Sequence, residues 1–219
     1  MACGATEGTR ITFPMAVAGV APTSPTQTGW TVALTSAEVH LSAARFYTGK
    51  VLISRRFDPW SLIISSAWAH PGHYQEGQAL GENLSHLDAD LLGGEVDWGT
   101  ATAVTGEYGS MQLTYAGALT LKGTATKGSE HFTFDTGGSL PKAKIEGIKF
   151  DQVIGAAKKG RVVVTLNLAT LLERVDFDKA GTVDAAGILK FDPTSEAYNG
   201  FARGILDTGT YLVEWKETQ

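Results

Sequence analysis

The sequence predicts a mainly β protein, an antiparallel sandwich or barrel with a long central loop insertion and one or two short helices. Three observations predict it. Short runs of alternating apolar and polar residues recur along the chain, separated by Gly, Pro and small polar residues, which is the signature of strands joined by turns. Apolar residues at helical spacing occur in only two stretches. The composition, 43% hydrophobic and 19% charged over 219 residues, is that of a globular chain large enough to bury a core without disulfides.

The elements follow in order. Residues 1–9 form a short tether of small residues, and 10–219 are expected to fold as one domain. Arg10 to Val20 alternates, and a Pro/Thr/Ser loop from Ala21 to Thr28 follows. Trp30 to Leu34, Val39 to Phe46 and Val51-Leu52-Ile53 are the next strand signals. Thr102 to Tyr115 and Ala118 to Thr126 suggest a second meander, with Gly106 and Gly117 at its turns. Further strands are expected at Glu130 to Phe134, Lys144 to Phe150, Arg161 to Leu168 and Thr210 to Trp215. Gln75 to Leu84 mixes helix formers with two glycines and reads as a broken turn. Asn167 to Val175 places Leu168, Leu171, Leu172 and Val175 on one helical face, and Ser195 to Leu206 is similar, with Thr194 or Ser195 as its cap. The stretch from about Trp60 to Trp98 is the expected insertion; it holds three of the five histidines and three of the five tryptophans.

Charge and cysteine content narrow the function classes. The net charge is −5 and no Lys/Arg stripe is long enough to track phosphates, so nucleic acid is not an expected partner. No apolar run approaches the ~20 residues that span a bilayer as a helix. The single cysteine is Cys3, in Met1-Ala2-Cys3-Gly4. Ala-Cys-Gly resembles the end of a bacterial lipoprotein signal, where the cysteine becomes the lipidated first residue. On that reading Met1 stands for a removed signal peptide. The domain is then exported to the periplasm or the outer-membrane surface and touches membrane only through a lipid anchor at Cys3.

The histidines are His40, His70, His73, His86 and His131. In His70-Pro71-Gly72-His73, Pro fixes one dihedral and Gly frees another, so the four residues are expected to turn. Such a turn can bring two imidazoles onto one ion. Neutral imidazole suits copper, zinc, nickel and iron, and the absence of nearby thiolates argues against a structural zinc site. The plainer alternative is a polar surface loop. His40 lies in Glu38-Val39-His40-Leu41-Ser42, facing opposite Val39 and Leu41, either into the end of a barrel or out to solvent. His131 alternates in the same way with Phe132 and Phe134. His86 follows a polar turn and ranks below them.

Trp68-Ala69-His70 resembles the copper site of the copper-repressed surface proteins of methane-oxidising bacteria. Ala44-Arg45-Phe46-Tyr47 similarly resembles a stretch of the related copper proteins encoded beside di-haem peroxidases. The resemblance implies that Trp68 becomes a kynurenine beside the metal and that His70 is a first ligand. His40 or His73 would be the second, with His131 in reserve. It also implies copper(I) or copper(II) as the cofactor and a di-haem peroxidase-like enzyme as the modifying partner.

Enzyme readings find little support, and a non-catalytic role is expected. There is no G-x-S-x-G elbow, Walker A loop or dinucleotide fingerprint. The acidic stretch Asp88-Ala89-Asp90 with Glu95 and Asp97 lacks the spacing of a calcium loop and reads as solvated. The leading expectation is one transition metal, copper first, bound for capture, storage or delivery. Protons compete for imidazole near its reference pKa of about 6.5, so affinity should fall between about pH 7 and 5. The alternative is a carbohydrate-binding or adhesion module with an exposed aromatic platform at Trp60, Trp68 and Trp98.

Overall fold

The computed structural model describes residues 8–50, 77–137 and 143–218. The strands are β1 (Arg10–Val20), β2 (Thr31–Tyr47), β3 (Ala79–Asn83), β4 (Leu87–Asp90), β5 (Val96–Val104) and β6 (Gly106–Lys127). They continue as β7 (Glu130–Asp135), β8 (Lys144–Ile154), β9 (Gly160–Asn167), β10 (Gly181–Val183), β11 (Ile188–Phe191) and β12 (Tyr211–Glu217). Two helices, α1 (Leu168–Leu172) and α2 (Glu196–Leu206), complete the set with short 3₁₀ turns. The fold is mainly β, as the alternation predicts: one mixed sheet that curls into a partial barrel.

Two long strands organise it. β2 and β6 pair antiparallel along nearly their full lengths, with register shifts that let them bend. The first part of β6 carries β8 on its other edge and the last part carries β7. One row therefore runs β8–β6–β2–β3–β5–β1–β9–β12, while β7, β11 and β10 extend the sheet from the far end of β6. Among the described residues, only β1–β9 and β7–β11 are parallel. β4 pairs with the middle of β2.

The buried side chains form one continuous cluster with two aromatic centres. Phe13, Phe46, Tyr108, Phe150 and Trp215 meet edge to face or tilted inside the long row. Trp30, Phe132, Phe134, Phe177, Phe191 and Phe201 fill the other end. Helices α1 and α2 start where their capping residues stand. Asn167 accepts from the N–H groups of Ala169 and Thr170, and Ser195 accepts from that of Tyr198.

The described part of the central stretch differs from a loop. Gln75 to Leu84 was expected as a broken turn, yet Ala79–Asn83 is β3, and Leu87–Asp90 is β4. Both are held by the open edge of β2 rather than by their own pattern. Gly117 is not a turn either. Tyr115 pairs with Leu41 and Leu119 with Val39, so three β6 residues stand against the single residue His40 in a bulge. Trp30 to Leu34 and Val39 to Phe46 belong to one strand for the same reason: β2 bends through the break instead of ending there.

Candidate functional site

Trp60, Trp68, His70, His73 and Cys3 lie outside the described residues, as does Val51-Leu52-Ile53. The structure does fix the flanks of 51–76. Tyr47 pairs with Ala79, the Thr48 N–H donates to Gln78 O (3.0 Å), and the Gln78 N–H donates to Thr48 Oγ1 (2.9 Å). Gly77 has φ +67°, and a Cβ there would lie 2.5 Å from Gly49 N, so glycine lets the flanks close. The connection thus leaves and rejoins the sheet at one rim. Beside that rim Lys50, Glu107, Tyr108, Asp151, Gln152 and Val153 line a recess of ≈ 240 Å³.

His40 sits on β2 with Val39 and Leu41 buried on the opposite face. Of its two expected directions the structure shows the outward one. Its Nδ1 lies 2.5 Å from Asp88 Oδ1 on the cross-strand neighbour β4, with the imidazole 40% exposed. A carboxylate only accepts, so Nδ1 carries the proton and Nε2 is the nitrogen left for an outside ligand. Next along the same face, Glu38 stands opposite Asp90. The Asp90 carboxylate already accepts from the N–H groups of Leu92 and Ala37. His40 is seven positions along β2 from Tyr47, about 23 Å from the rim at ~3.3 Å per residue.

His131 is exposed on β7, its Nδ1 3.2 Å from Thr126 Oγ1 across the β6–β7 ladder. Thr126 pairs with Thr31 at the start of β2. Nine strand positions, about 30 Å at ~3.3 Å each, therefore separate His131 from His40. No single ion can bridge them, so His131 is not a reserve ligand for a site built on His40. His86 is exposed in the β3–β4 loop. Among the described residues, no group of three or more His, Cys, Asp or Glu side chains is arranged to hold a metal.

The carboxylates of the acidic stretch have partners within the protein. Asp88 meets His40, Asp90 caps a 3₁₀ turn, and Asp97 accepts from the Gly99 N–H. Glu95 takes Lys216 at 2.5 Å and Arg161 besides, and the Lys216 hydrogen bond leads in lowering its pKa. The aromatic platform loses a member. Trp98 is 1% exposed and donates its indole N–H to Ser85 O at 2.8 Å, so it is a core residue.

One feature was not legible in the sequence. β8 and β12 come side by side without forming a ladder, leaving a cleft of ≈ 600 Å³ lined by Lys149, Asp151, Gln152, Tyr211, Val213 and Trp215 among others. Of its lining residues Leu212 is exposed, and single exposed apolar residues are too common to mark a site. No family model, no curated protein and no solved structure matches this chain.

Proposed function

We infer that this protein is an exported, lipid-anchored metal-binding protein that holds one transition-metal ion, copper in the first place. His70 is the leading ligand, with His40 or His73 as the second and Trp68 beside the ion. Among the described residues, the observation that supports this reading is the His40–Asp88 pair. Metal-binding imidazoles commonly donate their other ring N–H to a carboxylate, which fixes the tautomer and leaves the second nitrogen to the metal. The sequence supports it through the two histidines of His70-Pro71-Gly72-His73, in a connection whose two flanks are pinned at one rim. A His40 ligand requires that connection to return about 23 Å along β2 at ~3.3 Å per residue, whereas a His73 ligand does not.

The test is elemental analysis of protein exported to a bacterial periplasm, followed by copper titration against a competing chelator. We expect about one copper per chain, since the ligand count suits a single ion. His70→Ala should remove most of the affinity while circular dichroism stays native. If His40 is the second ligand, Asp88→Asn should weaken binding roughly 10- to 100-fold; if His73 is, Asp88→Asn should leave it unchanged and His73→Ala should weaken it. Failure of the wild-type protein to retain copper, zinc or nickel from excess metal would overturn the reading. A metal-independent binding module would then take its place, without Trp98 in its platform.

A further inference from the structure

We propose that the cleft between β8 and β12 is a docking slot for an extended polypeptide segment carrying alternating apolar and basic residues, which binds by adding a strand. Among the described residues, β8 is laddered only to β6 and β12 only to β9, so each turns an unpaired edge toward the other. Following the pairings round the long row, β8 and β12 run in the same direction. One segment running the other way is antiparallel to both edges, the more favourable ladder, and pairs with both wherever they stand two strand spacings, about 9.5 Å, apart.

The phase of the β12 ladder shows which groups are presented. The Thr218 N–H donates to Lys159 O, one position beyond the Glu217–Gly160 pair. Hydrogen-bonded pairs alternate in an antiparallel ladder, so Leu212, Glu214 and Lys216 turn their main-chain groups to β9. Val213 and Trp215 turn theirs to the cleft. Their side chains point the other way from those of Leu212 and Glu214, into the core. A ligand that satisfies such a row needs its own N–H and C=O groups at strand spacing, which is what an extended main chain supplies.

The side chains around the slot select the occupant's character. Val213 and Trp215 line the slot from its inner face, an apolar surface for alternate residues of the incoming strand. Glu214 stands beside Leu212 with no ion pair among the described residues, while Asp151 and Lys149 neutralise one another at 3.3 Å. The unbalanced charge is negative, so a Lys or Arg of the incoming strand is favoured opposite Glu214. The volume, ≈ 600 Å³, lies in the ~300–1,000 Å³ range of ligand clefts, enough for a short segment.

The experiment is amide-resolved NMR of the full chain titrated with an alternating Val-Lys octapeptide. Two controls are the same peptide with alternate main-chain amides methylated and a Val-Glu octapeptide. Shift changes concentrated on Val213, Trp215 and the β8 amides are expected, with at least a tenfold weaker effect from each control. Glu214→Lys should reverse the preference between the Val-Lys and Val-Glu peptides without altering the rest of the spectrum. The proposal is overturned if millimolar peptide leaves those amides unmoved, or if the methylated peptide binds equally well. It is equally overturned if the same amides shift with protein concentration alone, which would assign the seam to a second copy of this chain.

Discussion

At the scale of single residues, the tightest demand falls on Gly204 of α2. A Cβ there would lie 2.0 Å from Leu171 O of α1, and the contact is with backbone that has no room to rotate away. The Gly204 carbonyl also accepts from Thr210 Oγ1 at 2.6 Å, so the helix cannot slide without losing a buried hydrogen bond. Gly204→Ala should therefore push α2 off α1 and destabilise the protein by about 1–3 kcal/mol, the usual range for overpacking. Gly117→Ala is the matched control, because nothing lies within 4 Å of its Cβ position. Urea midpoints of the two variants check this; an unmoved Gly204→Ala midpoint would show that the helix pair has slack. The sequence hides this demand. Gly200 and Gly204 interrupt a helical pattern and look like weak points, whereas Gly200 also packs with its Cβ position 2.6 Å from Arg174 O.

At the scale of elements, legibility followed how much of the determining interaction is local. β1 has the bounds its alternation suggests, and α1 and α2 begin at their capping residues, because pattern and cap both act within a few residues. β3 and β4 were missed because they bury little: Leu80 and Asn83 in one, Leu87 in the other, with pairing to β2 making the strand. Gly117 was misread because a bulge and a turn use the same residue, and only the partner strand decides between them. The candidate site was legible as a list of histidines but not as a constellation, since spacing could not show that His40 meets Asp88 or that His131 lies a strand-length away. A comparable nonlocal contact ties the short parallel pair β7–β11, where Lys190 lies directly across from Asp135 and their charged ends are 2.7 Å apart. Burial, the largest single influence on Asp135, opposes ionisation. Lys190, the Gly137 N–H and the charge of Lys122 together outweigh it and hold the carboxyl below its ordinary value. A depressed native pKa contributes stability that is present above the unfolded value, ~3.9, and is lost as pH falls through the native one. Urea unfolding between pH 5 and pH 2.5 should accordingly show a steeper acid loss for the wild type than for Asp135→Asn. Parallel acid limbs for the two proteins would count against this role of the pair.

At the scale of the whole molecule, a buried hydroxyl chain links the sheet to the helical layer. The Tyr115 hydroxyl on β6 lies 2.9 Å from that of Tyr211 on β12, and the Tyr211 hydroxyl donates to Ile205 O of α2 at 2.6 Å. Since Tyr211 donates onward, Tyr115 donates to it, and the chain has a direction. Removing Tyr211's hydroxyl orphans a donor and an acceptor, whereas removing Tyr115's leaves the bond to Ile205 intact. Tyr211→Phe should thus cost more than Tyr115→Phe, by about 1–3 kcal/mol for the additional unsatisfied group. Burial raises the pKa of both phenols, and it pushes that of Tyr108 up to about 12. A raised native pKa gives stability that is complete below the unfolded value, ~10, and is lost as pH climbs toward the native one. Tyr115 and Tyr211 sit on β6 and β12 with their hydroxyls buried against one another, in the row that curls toward the β8–β12 seam, so their ionisation is expected to open that row rather than proceed in place. The part of the phenolate absorbance that Tyr115→Phe and Tyr211→Phe remove should therefore change together with far-ultraviolet circular dichroism above about pH 10, the unfolded tyrosine pKa. Tyr115→Phe should soften the alkaline limb of the stability curve. Appearance of that part of the absorbance well before any loss of strand signal would mean that these hydroxyls reach water through a native seam, and that the row opens there without unfolding.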